Sequence, residues 1–371
     1  MKITKVEATC HVVPVKLILD KVTREPFVFV RVETDEGISG YGITMGNMRF
    51  STRDFINREL APFLKGKDPL DTERIWNVDA IRELGIQVAT MTNSSTVRWG
   101  FSAVDIALWD IKGKYLKLPV YRLLGGAQNP VPAYVTFGFR MYNQEELVEV
   151  VRLLVQMGQD KLKMNVALGE RPGERLAEDV ARVKAVREEM GDTGVLMVDA
   201  NDMYNLIEAK ELARRIEQYN IAWFESPLFT NADFRLMAEL RRSTSIPIAP
   251  GGNLPGRRWM YREAIVQGAV DLIQPNVIHV GGFTEAQKIA HLAQAFSMPV
   301  ANGGGQPHHN GHVIAGIANG WMVEFHYGHM LRDEVIFVNP PRFERNWLNF
   351  SDTPGLGLEP NEAGLKEYME P

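Results

Sequence analysis

From its first residues the chain alternates apolar and polar positions (MKITKVEATCHVVPV), a period of two that predicts a β-strand. Phe27 to Thr44 reads as two β-rich runs flanking the turn residues Asp35-Glu36-Gly37, which predicts a hairpin. Residues 53–65 and 96–122 carry apolar positions at helical spacing, and Gly125-Gly126 closes the second stretch. Residues 1–125 therefore read as an α+β domain.

From about residue 131 the pattern changes to short apolar runs of β type. Each is followed by a longer amphipathic stretch, such as Gln144 to Gly158 or Leu176 to Met190. The runs begin near residues 131, 161, 195, 221, 246, 271, 299 and 322. A parallel strand needs a crossover before its neighbour, so this recurrence predicts an α/β fold, a (β/α)7-8 TIM-like barrel over residues 126–350. A doubly wound sheet is the weaker alternative. No GxGxxG follows an early strand, and the glycines at 303–305 come too late to supply one.

Composition narrows the function without naming it. The 371 residues are 45% hydrophobic and 23% charged, as in ordinary globular proteins, which argues against a fibrous, disordered or membrane-spanning chain. Lys plus Arg total 41 and Asp plus Glu total 46, so the net charge is 41 − 46 = −5 with no basic run, and nucleic acid is not an expected partner. Cys10 is the single cysteine, which excludes an internal disulfide and a thiol redox pair and fits a reducing, cytoplasmic home. The N-terminus lacks the charged lead and apolar stretch of a signal peptide, and no membrane association is expected.

In such barrels the chemistry sits at the C-terminal strand ends. Lys161 and Lys163, two apart, share a strand face, expected to be the barrel interior. Crowded ammonium groups favour loss of a proton, so one lysine could serve as a base; alternatively both pair with Asp199 and Glu225 as a structural ion network. Asp199 and Glu225 each end an apolar run, VLMVD and IAWFE, on neighbouring strands and should converge above the barrel. Either the lysines or a divalent cation resolves their repulsion, and hard oxygen ligands suggest magnesium over zinc. Asn201 and Asn276 lie at the ends of the third and sixth runs. His308, His309 and His312 of PHHNGH follow the seventh, where they either join the site or simply belong to a loop.

Together, SAVDIALWDIKGKYLKLPVYRLLGG at 102–126, the KxK at 161–163, VDAN at 198–201, WFESP at 223–227 and QPNVIHVGG at 274–282 resemble the enolase superfamily, specifically its mandelate racemase and muconate lactonising branch. The resemblance spans nearly the whole chain. It implies that residues 1–125 form a capping domain, completed by about residues 351–371 through the GLGLE element at 355–359, with loops near 15–26 and 45–52 closing over the substrate. It also implies Mg2+-assisted removal of the proton α to a carboxylate, giving an enediolate. Carried over by motif, Lys163 is the base, Lys161 tunes it and touches the substrate carboxylate, Asp199 and Glu225 are metal ligands, and Asn201 is a nearby contact.

The chain departs from the family pattern in three places. Gly252 in IAPGGNLPG stands where a third acidic ligand is expected, so either Asn253 donates a carbonyl oxygen or water fills the site, and magnesium is expected to bind more weakly. A glutamate at position 252 is then expected to tighten metal binding. Asn276 replaces the strand-six Asp or Lys and is expected to face substrate, and Gly303 or Gln306 falls where a histidine is expected on strand seven, with His308 as the nearest candidate acid. Inversion needs acid–base groups on both faces of the enediolate, and only Lys163 is in place. The expected function is therefore a Mg2+-dependent lyase that dehydrates a sugar acid or related hydroxy acid, a small-molecule carboxylate, within a homo-oligomer. The alternatives are a racemase, epimerase or cycloisomerase of the same superfamily, and a barrel that binds a ligand without catalysis.

Overall fold

The computed structural model describes residues 1–87, 94–168, 172–229, 233–252, 254, 257–338 and 340–371. The alternating N-terminal segment forms β1 (Ile3–Lys16), which pairs antiparallel with β2 (Val22–Thr34), and β2 with β3 (Ser39–Met45). Met369–Glu370 returns from the C-terminus to pair with β1. The helix Ser95–Leu116 lies against β3. Two glycines permit this approach: a Cβ on Gly40 would fall 2.1 Å from the Ala107 carbonyl oxygen, and one on Gly42 2.0 Å from that of Ala103.

The barrel begins at β4 (Val131–Phe137) and continues in parallel through β5 (Lys161–Asn165), β6 (Val195–Asp199), β7 (Ile221–Glu225) and β8 (Ile248–Ala249). β9 (Val323–His326) pairs with β4 and closes the ring. Helices fill the crossovers. Those at Gln144–Gln156 and Leu206–Ile216 start with capping boxes, Asn143 with Glu146 and Asn205 with Glu208, and bury apolar stripes such as Leu147, Val150, Val151 and Leu154.

The runs near 271 and 299 form single bridges, Ile273 to Val300 and Val300 to Gly320, rather than extended strands. Pro275 and Pro299 lack the N–H groups a longer ladder would use. Main-chain bonds still carry the ring across the gap, from Asp271 N–H to Ile248 O (2.9 Å), Ala301 N–H to Ile273 O (3.0 Å) and Asn302 N–H to Met322 O (3.0 Å). The fold is thus a (β/α) barrel with an N-terminal α+β cap. Among the described residues no helix is long and apolar enough to cross a membrane.

Side chains alternate along each barrel strand. Tyr134, Met197, Trp223, Ala249, Leu272, Ala301 and Met322 plug the interior as one apolar layer, with Tyr134 edge-on to Trp223 at 5.2 Å. Two residues further along the strands, the inward positions turn polar.

Candidate active site

Thr136, Asn165, Asp199, Glu225 and Glu324 ring the C-terminal mouth, each two residues beyond an inward-facing position. In register, Asn165 is level with Asp199 and Asp199 with Glu225, whereas Lys163 is level with Met197. Lys163 therefore starts about 6.6 Å deeper, two strand residues down, and its long side chain climbs towards the carboxylates.

Its ammonium meets three of them. Lys163 Nζ lies 2.7 Å from Glu225 Oε1, 3.0 Å from Glu324 Oε1 and 3.3 Å from Asp199 Oδ2, and 5.5 Å from the centre of the Tyr134 ring. The carboxylates are anchored in turn. Glu225 Oε2 accepts from Trp223 Nε1 (3.1 Å) and Gln274 Nε2 (2.8 Å), Glu324 accepts from Gly305 N–H (2.6 Å) and the Thr136 hydroxyl, and Asp199 Oδ1 accepts from Asn201 N–H (2.9 Å). Positive φ at Ala167, Asn201 and Ser226, just beyond β5, β6 and β7, folds the chain sharply across this mouth.

Burial sets the electrostatics. It favours the neutral amine of Lys163, but Glu225, Glu324, Tyr134 and Asp199 outweigh it and hold the ammonium well above the usual lysine range. Burial, only partly offset by Lys163, raises Asp199, and burial together with Asp199 and Glu324 pushes Glu225 up to about 7. Burial also opposes the Glu324 carboxylate, yet Lys163, Thr136 and Gly305 prevail and lower it.

Histidines form the remaining wall. His326 ends β9, stacks on His329 at 4.4 Å, and has a buried Nδ1 without a hydrogen-bond partner among the described residues. His329 Nδ1 accepts from Gln306 N–H (3.3 Å), and its Nε2 lies 3.4 Å from Glu25 Oε2 of the capping sheet. Burial lowers the pKa of both rings, which keeps them neutral near pH 7. His279 Nδ1 accepts from Trp99 Nε1 at 3.2 Å, so its Nε2 carries the proton and can only donate. These groups line a cavity of about 220 Å³. It shares Phe139, Asn165, Asn201, His326 and His329 with an outer cleft of about 620 Å³, to which the cap adds Leu17, Thr23, Arg24 and Glu25.

Several expectations are corrected by this geometry. Lys161 opens β5 at the opposite, N-terminal end, bonded to Asp160 Oδ1 at 2.7 Å, because a spacing of two gives the same face at a different depth. Lys163 is in the site, where Glu225, Glu324 and Asp199 hold it as an ammonium. His308 points away: Asp333 Oδ2 (2.7 Å) and Pro341 O (2.9 Å) engage both ring nitrogens, and the residue borders a separate cleft. The Asn276 amide faces inward structure instead of substrate, accepting from Ile278 N–H (3.2 Å) and Asn310 Nδ2 (3.1 Å) and donating to Gly304 O (3.5 Å). Asn201 lines both cavities. Asn253 lies outside the described residues.

Position 252 cannot hold a glutamate either, since a Cβ there would sit 2.4 Å from the Gly303 carbonyl. The residues missed from sequence are Asn165, Glu324, His326, His329, His279 and Glu25. The run MVEFH near residue 322 carried two of them at a strand end, the same signal that singled out Asp199 and Glu225.

The family model for the mandelate racemase / muconate lactonizing enzyme N-terminal domain matches residues 1–125, and that for the enolase C-terminal domain-like fold matches residues 146–364. The chain belongs to the mandelate racemase/muconate lactonizing branch of the enolase superfamily. Among its superfamily relatives, an arabinonate dehydratase of Saccharolobus solfataricus is 33% identical over 356 residues, covering 92% of this chain and 90% of that one. A D-galactarolactone cycloisomerase of Agrobacterium fabrum is 31% identical over 371 residues, covering 94% and 92%. The solved L-talarate dehydratase from Polaromonas sp. JS666, complexed with Mg and L-glucarate, superposes with a TM-score of 0.87 at 28% identity, covering 100% of this chain and 98% of that one. Magnesium and an acid substrate thus occur together in a superfamily member of this architecture.

Proposed function

We propose that this protein is a Mg2+-dependent hydro-lyase that removes the proton α to the carboxylate of a sugar acid or related hydroxy acid and expels the β-hydroxyl as water. The observation that carries the reading is the juxtaposition, in one cavity, of a carboxylate cluster, an ammonium and a neutral imidazole. Similarity to arabinonate, galactonate and talarate/galactarate dehydratases supports the substrate class.

Among the described residues no three His, Cys, Asp or Glu side chains form a metal cluster, so the fit to magnesium rests on charge and donor type. Asp199, Glu225 and Glu324 surround a single ammonium, Lys163, so the buried cluster holds more carboxylates than cations. A divalent cation beside them would favour the ionised forms of Asp199 and Glu225, which burial otherwise raises. Asp199 and Glu225 offer the hard oxygens such an ion prefers. Magnesium, when bound there, supplies charge stabilisation to the substrate carboxylate as its α-carbon loses a proton.

The chain's own groups perform the rest. His326 takes the α-proton on its neutral imidazole, leaving the C–H electron pair to form the enol as the β-hydroxyl departs. The imidazolium then returns that proton to the leaving hydroxyl, water is released, and the enol becomes a 2-keto acid. The Lys163 ammonium, beside Asp199 and Glu225, opposes the negative charge that develops. Arg24 and Arg140, on the rim of the outer cleft, suit the polar end of a sugar acid. Elimination is favoured over inversion because the expected second base is missing among the described residues: Gly303 has no side chain, the Asn276 amide is engaged, and His279 can only donate.

The test is a screen of aldonic and aldaric acids with protein stripped by EDTA and then resupplied with Mg2+, scoring 2-keto acid as its semicarbazone. At least one acid is expected to react only after Mg2+ is restored. An equal rate without metal would refute the magnesium requirement, and an inverted acid without keto acid would make the protein an epimerase.

A further inference from the structure

We infer that Asn165 supplies the third protein oxygen of the metal site, through Oδ1, in place of the carboxylate missing from the fifth barrel strand. The inference rests on the magnesium reading above. Asn165 closes β5 at the level of Asp199, as Asp199 is level with Glu225, so the three side chains leave adjacent strands at one height into one cavity. The residue is 5% exposed, and its Oδ1 has no hydrogen-bond donor among the described residues. A buried carbonyl oxygen left without a partner is costly, so such an atom in a cavity shared with two carboxylates calls for a cation or a donor.

Several donors at the mouth are directed to the carboxylates. The Lys163 ammonium is held among Glu225, Glu324 and Asp199, the Asn201 N–H serves Asp199, and the Trp223 and Gln274 donors serve Glu225. No ligand can arrive from position 252, where the Gly303 backbone fills the space a side chain would need. Among the described residues, the metal's protein oxygens are thereby assigned to β5, β6 and β7. Three protein oxygens leave an octahedral ion room for water and for the oxygens of a hydroxy acid. The site also explains why a chain lacking the strand-five carboxylate keeps Asp199 and Glu225 in place.

The experiment is titration of the metal-free protein with Mn2+, a paramagnetic stand-in for Mg2+, following free ion by electron paramagnetic resonance. Wild type, Asn165→Ala, Asn165→Asp and Asp199→Asn are compared, with circular dichroism to confirm folding. Asn165→Ala is expected to weaken Mn2+ binding about tenfold or more, and Asn165→Asp, nearly isosteric, to tighten it through added charge. Wild-type affinity in both Asn165 variants, with Asp199→Asn impaired, would overturn the assignment of Asn165 and leave the magnesium site standing. Absence of binding in the wild type would overturn the magnesium reading and this assignment with it.

Discussion

Replacing Lys163 by Met should lower the unfolding free energy at pH 7 by about 3–5 kcal/mol, the usual effect of deleting one partner from a buried ion cluster. Met matches the length of the lysine stem, so the loss isolates the charge. Without the ammonium, Glu225, Glu324 and Asp199 would be buried facing one another with no cation between them. The Glu324 contribution to the pH dependence should change sign as well. In the wild type, Glu324 has a depressed folded pKa and adds stability above its unfolded value, lost as pH falls through the folded one. In the variant its folded pKa rises above the unfolded value, so that contribution is present in acid and lost as pH climbs. Urea denaturation at pH 5 and pH 7 measures both effects: the variant should be more stable at pH 5 than at pH 7. A midpoint like that of the wild type at both pH values would show that Lys163 does not hold the carboxylates together.

The second large effect is catalytic. His326→Asn is expected to reduce kcat by roughly 10²–10⁴, the range for a positioned acid–base group, while KM changes little. Burial lowers the His326 pKa first, with Lys163 and Arg332 acting in the same direction and Glu25 and Glu324 against it. The wild-type kcat/KM should therefore fall in acid only below the ordinary imidazole value of about 6.5, because the neutral ring is the reactive form. That acid limb should flatten in His326→Asn. A variant with full kcat and an unchanged limb would place the proton transfer on another group.

The barrel and the N-terminal α+β domain were both legible in the sequence because each rests on periodicity. Runs such as VLMVD and IAWFE end in a carboxylate, and in a parallel barrel every strand end points to the same mouth. Asp199 and Glu225 could be read for that reason. Depth was less legible. Lys161 and Lys163 share a face, but only the register of β5 against β6 shows that Lys163 begins level with Met197, that Asn165 takes the upper position and that Lys161 falls at the far end. The PHHNGH histidines misled because the segment forms the buried helix Pro307–Gly316, in which His308 turns to Asp333. The His329 link to Glu25 joins residues about three hundred positions apart, and no local pattern encodes such a contact.

The account turns on whether this pocket removes an α-proton, and proton NMR of a reacting sugar acid in D2O with Mg2+ measures that directly. The C2 proton signal should disappear as a 2-keto acid bearing deuterium at C3 accumulates, in wild type and not in His326→Asn. If acids that bind in the presence of Mg2+ keep their C2 protons through prolonged incubation, the protein is a ligand-binding barrel and the catalytic reading is contradicted.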